Sequence, residues 1–79
     1  MIINMTSTIR LIWSEDEKFW YSKSMDERFG LTLESGSIDA LIERVKIAVP
    51  ELLEEIGYSG DIDICFEVER VDKLRAVAS

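Results

Sequence analysis

Ser37-Ile38-Asp39-Ala40-Leu41-Ile42-Glu43-Arg44-Val45-Lys46-Ile47-Ala48-Val49-Pro50-Glu51-Leu52-Leu53-Glu54-Glu55-Ile56-Gly57 is the one segment of this 79-residue chain long and periodic enough to specify a helix. Ile38, Leu41, Ile42, Val45, Val49, Leu52 and Ile56 recur at helical spacing and share one stripe, with Ala48 and Leu53 at its margins. Ser37 is placed to cap the first turn through its hydroxyl, and Asp39 adds a favourable negative charge there. Gly57 is placed to close the helix in the left-handed conformation. Pro50 lacks an amide hydrogen and crowds the carbonyl of Lys46, so a kink or a break is expected near Val49. An apolar stripe of this kind needs a sheet to cover it.

The rest of the chain reads as strand and turn. Thr8-Ile9-Arg10-Leu11-Ile12-Trp13 alternates, with Ile9, Leu11 and Trp13 on one face, and the strand can begin as early as Met5. The polar connection Ser14-Glu15-Asp16-Glu17 leads into Lys18-Phe19-Trp20-Tyr21-Ser22-Lys23, completing a hairpin. A polar turn over residues 24–29 and Gly30 precede a third strand, Leu31-Thr32-Leu33-Glu34, which Ser35-Gly36-Ser37 ends. Behind the helix, Asp61-Ile62-Asp63-Ile64-Cys65-Phe66-Glu67-Val68-Glu69 sets Ile62, Ile64, Phe66 and Val68 on one face and acids with Cys65 on the other. The tail from Asp72 to Ser79 has no strong pattern and reads as fraying.

The element order β-β-β-α-β, with a right-handed crossover through the helix, predicts a two-layer α+β domain. Its sheet is four-stranded and mostly antiparallel in order 3-2-1-4, with one kinked helix on one face and the last strand parallel to the first. Residues 1–79 read as a single domain with an ordered core over about 6–71.

Composition narrows the function classes. Nine Lys and Arg against sixteen Asp and Glu give a net charge of −7, which repels nucleic acid and anionic membranes and suits a basic protein partner. The single Cys65 and the absence of His point to a reducing, cytoplasmic setting, and they remove the commonest metal ligand and general base. No signal peptide or membrane span is visible, and Asn4-Met5-Thr6 is a chance match to a glycosylation acceptor.

Trp13 before an acidic turn, Phe19-Trp20-Tyr21-Ser22, Asp26, Gly30-Leu31, Glu34, and the run from Ser37-Ile38 through Leu41-Ile42-Glu43 to Val49-Pro50-Glu51-Leu52-Leu53 resemble the HicB-like antitoxin group. Within that group the chain is most similar to a short bacterial family of unknown function. The resemblance spans residues 8–70 and implies a truncated RNase H-like fold whose full-length members neutralise a small RNA-cleaving toxin and carry a DNA-binding module. With the chain ending at Ser79, no such module is expected here. Asp26-Glu27-Arg28-Phe29-Gly30 departs from the Asp, apolar, Pro-Gly pattern of relatives, so a loop of different shape is expected.

An RNase H-like site holds two metals on carboxylates from the first strand, the helix and a later strand. Residues 1–14 contain no Asp or Glu, so catalysis and cofactors are not expected, whatever Glu43, Asp61 or Asp63 contribute. Asp61, Asp63, Glu67 and Glu69 read as a solvated face rather than a calcium site, because alternate strand residues lie about 7 Å apart. Cys65 reads as inert and half-buried.

From Glu51 to Glu69 there are seven acidic residues and no Lys or Arg. Glu51, Glu54 and Glu55 also oppose the helix dipole, so local stability does not account for them. Glu43, Ile47, Glu51, Glu54, Glu55, Asp61, Asp63, Glu67 and Glu69 are therefore the candidate surface for a basic partner such as an RNase toxin. Ile12, Phe19 and Tyr21 are the candidate self-association patch, on the sheet face away from the helix. The expected function is a non-enzymatic, antitoxin-like interaction domain; the alternative is an orphan structural or homo-oligomerisation module without a toxin.

Overall fold

A computed structural model describes residues 5–28 and 30–78; Asn4 of the acceptor pattern, Phe29 of the polar turn and Ser79 of the tail lie outside the described residues. The elements are β1 (Met5–Ser14), β2 (Phe19–Ser24), β3 (Glu34–Ser35), α1 (Ile38–Glu55) and β4 (Ile62–Glu69). They form one four-stranded sheet of order β3-β2-β1-β4. β1 pairs antiparallel with β2 and parallel with β4, and β2 pairs antiparallel with β3. This is the expected two-layer topology, with a single kinked helix on one face.

The alternation along β1 decides which face is covered. Met5, Ser7, Ile9 and Leu11 are buried under the helix, where Trp20 joins them from β2. Leu41, Val45, Val49 and Leu53, one turn apart along α1, pack into this layer. The stripe is thus centred differently from the sequence expectation: Leu53 is buried, whereas Ile56 is 51% exposed. Ile56 is the C-cap, so the chain has left helical geometry before its side chain can turn inward.

Both caps form as expected. Ala40 donates its amide to Ser37 Oγ at 3.4 Å. At the other end Gly57, at φ +79, donates to the Glu54 carbonyl at 3.0 Å and Tyr58 donates to the Leu53 carbonyl at 2.9 Å, the paired bonds of a Schellman closure. Pro50 lies inside an unbroken α1, so it kinks the helix rather than dividing it.

The third strand is shorter than its alternation predicts and lies later, because it takes in Ser35, the residue expected to end it. Leu31 is buried in the core, but only Glu34 and Ser35 form ladder pairs, with Tyr21 and Trp20. At the next position Ser22 donates its amide to the Leu33 carbonyl at 2.8 Å, while the Leu33 amide goes to Ser22 Oγ at 2.9 Å. A side chain replaces the backbone acceptor there, and the ladder stops. The hairpin turn runs over Glu15–Lys18, with Lys18 in the left-handed region at φ 59 and donating its amide to Ser14 at 2.8 Å.

Candidate functional site

α1 covers β1 and β2 but leaves β4 partly open. Ile62, Ile64 and Phe66 point to the helix side yet are only half-buried, and Val68 is 60% exposed. A groove of about 310 Å³ lies between Val45, Val49 and Pro50 of α1 and these three β4 residues, with Lys46 on its rim. It adjoins a hollow of about 480 Å³ at the helix C-terminus that shares Pro50 and Ile62 with it. β4 is also the end strand of the sheet, so among the described residues one side of its backbone has no strand beside it.

The segment 70–78 continues from β4 and stays outside the body. Val71, Leu74 and Val77 are 82–89% exposed. Its root is held by Arg70, whose guanidinium stacks 4.6 Å from the Trp13 ring and 5.7 Å from the Trp20 ring, and whose Nε donates to Asp72 at 2.9 Å. The molecule measures 64 Å by 22 Å by 20 Å, and its radius of gyration is 15.9 Å. A compact domain of this length would have about 12 Å. At about 3.3 Å per residue an extended run from Ile62 to Ala78 spans about 55 Å, which accounts for the long axis.

Residues 6–78 match the model of a family described as a domain of unknown function, DUF1902. The chain belongs to the DUF1902 family. The crystal structure of hypothetical protein TTHA1013, from the extremely thermophilic bacterium Thermus thermophilus, matches this DUF1902 domain with a TM-score of 0.68 at 24% identity. The match covers 87% of this chain and 99% of that one, and at that identity it shows a common fold. No curated protein matches the chain.

The DUF1902 domain distributes the acidic residues over two sides. Glu43, Ile47, Glu51 and Glu54 are exposed along the outer side of α1, with Glu55 beside them; Ile47 is 67% exposed. Glu43 pairs with Lys46 at 3.1 Å. Asp63, Glu67 and Glu69 lie on the opposite side of the molecule, on the sheet face away from the helix, where Glu67 pairs with Arg10 at 3.4 Å. Asp61 precedes β4, and its carbonyl accepts from the Tyr58 hydroxyl at 2.7 Å. The nine residues read as one surface from sequence therefore form two.

Ile12, Phe19 and Tyr21 do come together. Ile12 faces Tyr21 across the β1–β2 ladder, and the Phe19 and Tyr21 rings are 6.3 Å apart at 62°, while Trp20 points the other way. Cys65 shares this outer face and is exposed, not half-buried, because its neighbours Thr8 and Glu67 leave it uncovered.

The departing loop has its own organiser, which sequence reading missed. Asp26 accepts from the buried Ser7 hydroxyl, from the Arg28 amide at 2.9 Å and from Arg28 Nε at 2.8 Å. The Arg28 side chain and then the Ser7 hydroxyl hold the Asp26 carboxyl well below the usual range. The turn Glu15 carboxyl is likewise lowered, first by Lys18 and then by the Trp13 indole, which donates at 2.8 Å. Among the described residues no three His, Cys, Asp or Glu side chains gather where a metal could sit, and no helix is long and apolar enough to cross a membrane.

From sequence, Val68 belongs to the apolar face of the last strand and the tail from Asp72 reads as fraying, so neither is assigned a functional role. A visible signal was the change of charge: after the acidic run ending at Glu69 come Arg70, Lys73 and Arg75 within six residues.

Proposed function

We propose that this domain is a non-catalytic protein-interaction module whose binding element is β4 together with the segment that follows it. The observation that carries the reading is the half-covered inner side of β4 beside an unpaired strand edge, continued by a segment whose apolar side chains stand exposed. An enzyme gathers reactive groups in a recess; here the recess beside β4 is lined mainly by aliphatic side chains. Binding by strand addition needs an accessible edge and alternating side-chain pockets, which is what β4 offers. A free thiol on an exposed face fits a reducing compartment.

A second reading is favoured by one observation. Glu51, Glu54, Glu55, Asp61, Asp63, Glu67 and Glu69 are all exposed, so a basic protein would be drawn to either side of the molecule. With the sequence resemblance to HicB-like antitoxins, that partner would be a small basic RNase toxin.

The test is photo-crosslinking in the native cell from a photoreactive residue in place of Leu74. A discrete adduct is expected. Its mass distinguishes a second copy of this chain from a different, basic protein, and irradiated cells that yield only the free chain would contradict the interaction reading.

A further inference from the structure

We propose that the segment 70–78 of one copy adds as an antiparallel strand to the free edge of β4 in a second copy. A two-fold axis at Val71 would join the two sheets into one. The proposal rests on the interaction-module reading and names its partner.

The side chains argue for a second copy of this chain. Extended, the segment alternates: Leu74, Ala76 and Ala78 fall on the side of β4 that carries Ile64, Phe66 and Val68, and Lys73 and Arg75 fall on the side that carries Glu67 and Glu69. Arg70 fixes this parity, because it stacks on Trp13 and Trp20 on the helix side of the sheet. The segment thus brings small apolar groups to a half-filled apolar groove and cations to an acidic edge.

Two-fold pairing tightens the match. An axis perpendicular to the sheet pairs only residues of equal parity, so like faces meet. With Val71 facing Val71, Lys73 stands across from Glu69 and Arg75 across from Glu67. Arg70 faces Asp72, exchanging between copies an ion pair that each chain makes within itself at 2.9 Å. On the helix side, Leu74 covers Val68 and Ala76 meets Phe66. Sliding the pairing one step either way stacks Arg70 on Arg70 or Asp72 on Asp72. Long exposed edges are ordinarily protected against such pairing, and here the protecting acids find their counterions in the same chain. The symmetry is isologous, so each contact is made twice.

Cys65 supplies a direct test of the register, since it faces Val77 of the other copy. Opposed residues on antiparallel strands have Cα atoms about 4.5–5.5 Å apart, within disulfide range. Mild oxidation of the full chain carrying Val77→Cys is expected to give a covalent dimer with both links between Cys65 and the introduced thiol. The Ala76→Cys chain, whose thiol sits on the other face, should give none. Equal linking from both positions, links joining only identical positions, or no dimer would overturn the pairing. In sedimentation, Lys73→Glu is expected to weaken self-association about tenfold and Glu69→Lys in the same chain to restore it; weakening without restoration contradicts the register. If these tests fail while Leu74 still crosslinks to another protein in cells, the pairing is wrong and the interaction reading stands. If that adduct is also absent, both fall.

Discussion

β1 with β2 and β4 with its extension are built from the same alternating pattern, yet they end in different states. On β1, Ile9 and Leu11 are fully buried between the helix and the neighbouring strands. On β4, the equivalent side chains are half-covered at Ile62, Ile64 and Phe66 and largely open at Val68. One helix is wide enough to close about two strands, and the caps at Ser37 and Gly57 fix where it lies. The difference teaches that the fold is completed on one side of the molecule and left open on the other.

Substitutions can separate the two regions. The largest effect is expected at the closed side: Leu41→Ala empties a fully buried site and should cost about 2–5 kcal/mol. A 79-residue domain commands only about 4–12 kcal/mol, so urea unfolding would show much of the stability gone. At the open side, Leu74→Ser should change unfolding by less than about 0.5 kcal/mol at protein concentrations too low for association. A large loss there would mean that the segment packs on its own body, and the contrast would collapse.

Asp26 tests the closed side at its loop. Asp26→Ala leaves the buried Ser7 hydroxyl without its acceptor and should cost about 1–3 kcal/mol. The pH dependence has a definite sign. The folded carboxyl is held below its unfolded value, near 3.9, so its contribution is complete above that pH and is lost as the pH falls toward the folded value. Unfolding curves of the parent and Asp26→Asn should therefore converge as the pH drops below about 4. A gap that stays constant from pH 6 to pH 2.5 would remove the charge from the explanation.

A smaller effect than at Asp26 is expected at the helix end. No basic residue lies in the last turn of α1, and Glu54 is exposed there. Glu54→Lys should raise stability by about 0.3–1 kcal/mol, an effect that fades in high salt. An unchanged or lower melting temperature at low salt would show that Glu54 is held by something other than the dipole.

Topology was legible because the decisive signals are local: alternation at Ile62, Ile64, Phe66 and Val68, a serine before the helix, a glycine after it. What escaped depends on partners far away in sequence. The shortness of β3 follows from Ser22 Oγ taking the Leu33 amide, and no spacing within 31–34 announces that. Leu53 rather than Ile56 completes the buried row because Leu41, Val45, Val49 and Leu53 repeat every four residues, whereas Ile56 falls at the C-cap. The acids seemed one surface because sequence order does not say that α1 and the outer side of β4 face apart. Val71, Leu74 and Val77 do not share one face of a strand, and the fit of that segment becomes visible only beside the free edge of β4.

Amide hydrogen exchange of the full chain, followed residue by residue from dilute to concentrated solution, tests the open edge most directly. Among the described residues, none of the backbone hydrogen bonds outside helices and strands involves residues 70–78, so their amides should exchange freely in the dilute protein. The account predicts that alternate amides of 71–78 slow by at least about tenfold as concentration rises, together with those of β4 that face away from β1, while β2 is unchanged. Free exchange of 71–78 at every concentration, with β1 and β2 fully protected, would contradict it.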